Sequence, residues 1–236
     1  MVLLASTAHA ACPSRGLQLF PAPGGTVPIN SRFILEGFGQ DQAAVSASVG
    51  SQLTLTSASD SVAVKVVRGW KSDMRRVAVL LKPSRALKSG LEYTLTLTGA
   101  LQHVPVVNAG RRGVSWRAGS GRDTQRPNWL QHPGVSEGEY ALRDGGLSRL
   151  VKLHVEIEDE SPVYLVATVR RIRGAVGIQT YFVPINGDEA LLGHNACNGS
   201  FGFEDGGAYG ARVELFDAAG NAGPSSEIQF LAPTPQ

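Results

Sequence analysis

The sequence predicts an all-β fold of two tandem β-sandwich domains of Greek-key type, and three observations carry that prediction. Short apolar segments alternate with polar residues at period two and are bounded by Gly, Pro, Asn and Asp. Gly is frequent (28 residues) and Met scarce (2), as a chain of many short strands and turns requires. A polar run, Arg122-Asp123-Thr124-Gln125-Arg126-Pro127, divides the chain into halves of similar size and reads as a linker. The expected boundaries are residues 1–11 for a signal-peptide remnant, 12–121 for the first domain, 122–127 for the linker and 128–236 for the second domain. With 42% apolar residues, each half has enough material for a core.

Met1-Val2-Leu3-Leu4-Ala5-Ser6-Thr7-Ala8-His9-Ala10 is an apolar stretch ending in an A-x-A cleavage pattern, which points to export. It lacks the basic start of a signal peptide, which leaves the true start codon open, and a frayed first strand is the competing reading. Cleavage there leaves a chain beginning at Ala11-Cys12. Cys12 and Cys197, one per half, then suggest a disulfide formed in an oxidising compartment; lipidation of Cys12 is the alternative. The bridge would close a loop of more than ~100 residues and contribute about 4–5 kcal/mol in the chain-entropy model. The expected location is the periplasm, the cell surface or the medium. The longest apolar runs, such as Val77-Ala78-Val79-Leu80-Leu81, are strand-sized, so no membrane span is expected.

In the first half, residues 16–20 form the opening strand and Pro21-Ala22-Pro23-Gly24-Gly25 turns the chain. Residues 30–38 follow, with Phe33, Leu35 and Gly37 on one face and Arg32, Ile34, Glu36 and Phe38 on the other. Further strands are predicted at 52–56, 61–67, 76–81, 93–97 and 113–117, the last with Val114 and Trp116 on one side. Seven or so strands within about 110 residues, without a long helical period, suit a Greek-key sandwich. In the second half the strand candidates are 150–157, 163–169, 177–183, 199–203, 211–216 and 227–231. Val151, Leu153, Val155 and Ile157 share a face, which sends His154 to solvent.

Pro21-Ala22-Pro23-Gly24-Gly25-Thr26-Val27-Pro28-Ile29-Asn30, followed by Phe33-Ile34-Leu35, resembles the opening of bacterial Ig-like domains. The stretch from Pro83 through Leu87 and Gly90 to Tyr93 and Leu95 is similar to that family's closing hairpin, with Leu87 and Tyr93 as core anchors. The resemblance covers roughly residues 13–119. Asp217-Ala218-Ala219-Gly220-Asn221 resembles the turn near the end of bacterial Ig-like and fibronectin-type-III-like repeats, its Asn-type residues taking positive φ. These motifs are structural, so the resemblance implies tandem Ig-like domains in an exported setting and carries no reaction.

No catalytic residue and no cofactor is expected. Gly134-Val135-Ser136-Glu137-Gly138 matches G-x-S-x-G in letters only, because an all-β pattern lacks the strand–turn–helix that a nucleophile elbow requires, and there is no H-E-x-x-H pair among His9, His103, His132, His154 and His194. His194 precedes Cys197 by three residues, yet further ligands for a metal do not stand out, and no metal site is predicted. Glu156, Glu158, Asp159 and Glu160, with Glu204, Asp205 or Asp217, could hold calcium at a sandwich edge, although the usual acidic calcium loop is missing; a solvated turn is the bland alternative. Asn198-Gly199-Ser200 matches a glycosylation sequon short enough to arise by chance.

Charge is the best lead. Residues 13–121 carry 13 Lys/Arg against 5 Asp/Glu, a net +8, whereas residues 122–236 carry 9 against 15, a net −6. This asymmetry suits head-to-tail self-association, or contact with a protein or an anionic envelope polysaccharide. The Arg clusters (Arg75-Arg76, Arg111-Arg112, Arg170-Arg171-Ile172-Arg173) have few aromatics between them, and export argues against nucleic acid. Trp70 and Trp129, both near predicted turns, are the candidate ligand-binding aromatics; Trp116 is expected in a core. The expected function is non-enzymatic: binding, adhesion or structural assembly in an envelope or secreted protein. A periplasmic copper carrier of the CopC type is the alternative, because those proteins share a small β-sandwich and a similar Pro-Gly opening; cleavage exposing Ala11 rather than His, and only two Met, weigh against it.

Overall fold

The computed structural model describes residues 15–109, 113–143, 146–173, 177–195 and 199–235. The expected signal segment 1–11, Cys12 and Cys197 with their expected disulfide, Arg111-Arg112 and Asn198 of the expected sequon lie outside these residues. The fold is all-β, built from two curled sheets.

The first sheet contains β1 (Arg15–Phe20), β2 (Thr26–Val27), β3 (Phe33–Gly39), β4 (Leu53–Thr56), β5 (Ser61–Lys71), β6 (Arg76–Pro83), β7 (Glu92–Thr96) and β8 (Ser115–Ala118), in the order β1-β3-β6-β5-β4-β7-β8-β2. Pairing is antiparallel except between β2 and β8. The second sheet contains β9 (Asn128–Arg143), β10 (Gly146–Glu158), β11 (Val163–Arg171), β12 (Ile178–Asn186), β13 (Glu189–His194), β14 (Ala208–Asp217) and β15 (Ala222–Leu231). Its order is β15-β14-β11-β12-β13-β10-β9. The outermost strands β9 and β15 approach each other, and Trp129 Nε1 donates to the Pro224 carbonyl at 2.9 Å across that closure.

Alternation along β3 and β6 assigns their side chains to two cores. Phe33, Leu35, Val77, Val79 and Leu81 face the interior of the first sheet, where Trp116 packs tilted against Phe33, their ring centroids 4.6 Å apart. A short helix α1 (Gln42–Ala47) closes this core with Val45. The approach is close enough that a Cβ on Gly37 would lie 2.6 Å from Val45 Cγ2, which is why that strand position has no side chain. Ile34, Ala78 and Leu80 point the other way, into a core they share with β10–β15. β3 and β6 are therefore buried on both faces, as their near-continuous apolar sequence requires. Full burial of an Ile or Leu side chain is worth about 1.5–3 kcal/mol, so the outer face contributes substantially to joining the sheets.

Four differences from the sequence expectation have physical causes. β9 was not predicted because Gln131, His132, Pro133, Gly134 and Gly138 interrupt its pattern; as an edge strand it tolerates the Pro. Residues 199–203 do not form a strand. Ser200 N and Phe201 N both donate to the Gly193 carbonyl, while Phe201 and Phe203 insert into the shared core; β13 takes the expected strand's place. The 83–95 stretch is a crossover rather than a hairpin, because β5 and β4 lie between β6 and β7. In the Asp217–Asn221 turn the positive φ falls on Gly220 (+87°), not on an Asn-type residue.

Candidate functional site

The seam between the sheets holds the chemistry. Val62, Val64 and Val66 of β5 face the first core, and continued alternation would send residue 68 there too. A β-bulge between Val66 and Arg68 breaks the register. Beyond it Arg68 lies opposite Leu80 and Trp70 opposite Ala78, so both side chains project toward the second sheet. The Arg68 guanidinium sits over the Trp70 ring, 5.1 Å from its centroid. Lys82, on the same face of β6 as Leu80, and Arg32, just before β3, complete a cleft of about 330 Å³ whose far wall includes Tyr164 of β11 and Phe216 of β14. Tyr164 and Phe216 stack at 5.6 Å. Burial pushes the Tyr164 hydroxyl up to about 12, opposed in part by the Arg32 and Arg68 charges.

Deeper in the seam lies a carboxylate bridge. Glu36 of β3 is fully buried, receives Arg76 Nη2 at 2.7 Å and accepts the Tyr181 hydroxyl of β12 at 2.8 Å. Burial raises its pKa against the opposing pull of Arg76, and the same burial drives Tyr181 well above the usual phenol range. Beside this bridge, Phe20, Ile34, Phe182 and Ile185 line a second cavity of about 320 Å³.

At one end of the seam Asp123, Asp159 and Asp217 bring carboxylate oxygens within 4.8 Å of one another. The chain already engages five of their six oxygens. Asp123 accepts from Gln125 N and from Ser161 Oγ; Asp159 Oδ1 accepts Ser161 N; Asp217 accepts Gly220 N, Asn221 N and Asn221 Nδ2. Asp159 Oδ2 is buried without a partner. Desolvation, then repulsion from neighbouring carboxylates, raises Asp159 and Asp217. Their all-oxygen donor set is of the type that hard cations prefer over copper. Its visible work is structural: Asn30 clasps both backbone groups of Asp123, at 2.8 and 3.0 Å, so the 122–127 segment is pinned between the halves.

Of the residues singled out in the sequence, Trp70 enters this seam, but buried (5% exposed) and under Arg68 rather than as an open platform. Trp129 is half-buried at the β9–β15 closure, away from the cleft. His154 is half-exposed and lies between Glu156 and Asp188. His194 is buried, with its pKa lowered by desolvation. Arg32, Arg68, Lys82, Tyr164 and Phe216 were not identified in advance. The available signal was the pair Val66-Val67, where alternation along β5 fails just before Arg68-Gly69-Trp70. No protein-family model matches the chain, and comparison with curated proteins finds no match.

Proposed function

We propose that this is a non-enzymatic, exported binding or structural protein of the bacterial envelope, built from Ig-like domains and engaging an anionic envelope surface through its basic half. Its fold reading draws support from Tyr93, whose hydroxyl accepts Lys88 N at 2.9 Å and donates to Asp60 at 2.6 Å. A tyrosine near a strand start, bonded back to the backbone a few residues upstream, is a feature of Ig-type sandwiches. The observation that carries the binding reading is the joining, through a shared core, of a half whose sequence is net +8 to one whose sequence is net −6. Co-sedimentation with isolated bacterial envelopes tests it. Binding at low salt that is released by added salt is expected; a protein that stays in the supernatant at every ionic strength, or remains cytosolic when expressed, would overturn the proposal.

A further inference from the structure

We propose that the Arg32/Arg68/Lys82 cleft is an oxyanion site for an acidic saccharide. This rests on the envelope-binding reading and assigns it a location and a ligand class. Three cations meet here, and none makes an ion pair or a side-chain hydrogen bond to another described residue. Four other cations of the first half are paired, Arg15 with Asp41, Arg76 with Glu36, and Arg85 and Lys88 with Asp60, and Lys65, Lys71, Arg75 and Arg117, unpaired among the described residues, do not line this cleft. Unneutralised like charges repel, so their convergence is favourable when an anion sits among them. Arg32 lies against Gly220 of the Asp217–Asn221 turn, yet the Asp217 carboxylate accepts its hydrogen bonds from Gly220 and Asn221 and none from Arg32.

Geometry narrows the ligand. Arg68, itself exposed, lies with its guanidinium over an indole that is locked by burial. A guanidinium suits two parallel hydrogen bonds to a carboxylate, sulfate or phosphate. The Trp70 indole N–H is buried without an acceptor, a further donor beside the cleft. Val67, pushed out by the bulge and 51% exposed, and the half-buried Phe216 give the rim apolar surface against which the C–H face of a sugar ring can pack. At about 330 Å³ the cleft falls at the small end of the usual ligand-site range of about 300–1,000 Å³, so it takes a short section of a polymer.

Isothermal titration calorimetry at about 0.15 M salt, where diffuse attraction is largely screened, tests the assignment with polygalacturonate, dextran sulfate and neutral dextran. One or both acidic polymers bind and dextran does not; the tighter of the two identifies carboxylate or sulfate-type chemistry. Arg68→Gln weakens that binding about tenfold or more, as loss of a charge-assisted contact implies. Lys82→Gln weakens it to a smaller extent, and Arg117→Gln, which removes an exposed charge outside the cleft, leaves it unchanged. Equal losses in all three variants would reduce the effect to net charge and overturn the site. Retained affinity in Arg68→Gln, equal binding of dextran, or no binding of either acidic polymer would do the same. Envelope co-sedimentation that survives Arg68→Gln would leave the broader function standing while removing this cleft from it.

Discussion

At the scale of single residues, the seam depends on polar groups whose partners come from distant parts of the chain. Glu36 shares its face of β3 with Ile34, and its place on the outer face follows from that period alone. Its partner Tyr181 lies 145 residues away, so no local pattern could have identified it. Because burial raises the Glu36 pKa, the folded state favours its protonated form more than the unfolded chain does, and its contribution to stability falls as pH rises through that range. Arg76 offsets this cost. Arg76→Ala should therefore lower unfolding free energy by about 3–5 kcal/mol at neutral pH, the cost of stranding a buried charge. The deficit should shrink as pH falls, because protonation of Glu36 removes the stranded charge, and burial brings that protonation on above the usual carboxylate range. Urea unfolding at several pH values measures it; a small, pH-independent loss would show that Glu36 does not depend on Arg76.

At the scale of elements, connections explain what strands alone do not. The crossover from β6 to β7 is fastened by Asp60, which takes Arg85 through both oxygens at 2.7 and 3.1 Å and also meets Lys88 and Tyr93. Hydrogen bonds from Arg85 and then Tyr93 hold the Asp60 carboxyl well below its usual range. A lowered pKa supplies stability above the unfolded value near about 4, and that stability is lost as pH drops through the folded value. Asp60→Asn should lower the urea midpoint at neutral pH, and the gap from wild type should narrow progressively below about pH 4. A gap that stays constant into acid would mean that the ionised carboxylate is not what holds the crossover. The bulge in β5 acts at the same scale: one extra residue, Val67, transfers Arg68 and Trp70 from one face of the sheet to the other.

For the whole molecule, the consequence is mechanical unity. Ile34, Trp70, Ala78 and Leu80 from the first half lie in one core with Leu165, Phe182 and Phe201 from the second, and Phe20 meets Tyr164 edge-on at 5.2 Å. Beads on a string would unfold separately; sheets that share β3 and β6 between two cores lose both when either opens. Urea unfolding followed by tryptophan fluorescence, with Trp116 in the first core and Trp70 in the seam, should coincide with the loss of far-ultraviolet circular dichroism in one transition. Two resolved transitions would show that the seam is weaker than its burial implies.

The sequence by itself determined the all-β class, most strand positions and the split of charge between the halves, because period-two alternation and turn residues act over a few neighbouring positions. Every described strand of the first sheet precedes the polar run at Arg122–Pro127. Tertiary structure decided which face of each strand meets which core, and so that Trp70 is buried and Arg68 brought beside Arg32 and Lys82. It also decided the meeting of Asp123, Asp159 and Asp217, and of Glu36 with Tyr181. These depend on contacts across the fold between segments far apart in the chain, and on a one-residue bulge whose trace in the sequence is only a broken alternation. Strand periodicity is local, whereas a site at the seam of two sheets exists only once both have folded against each other.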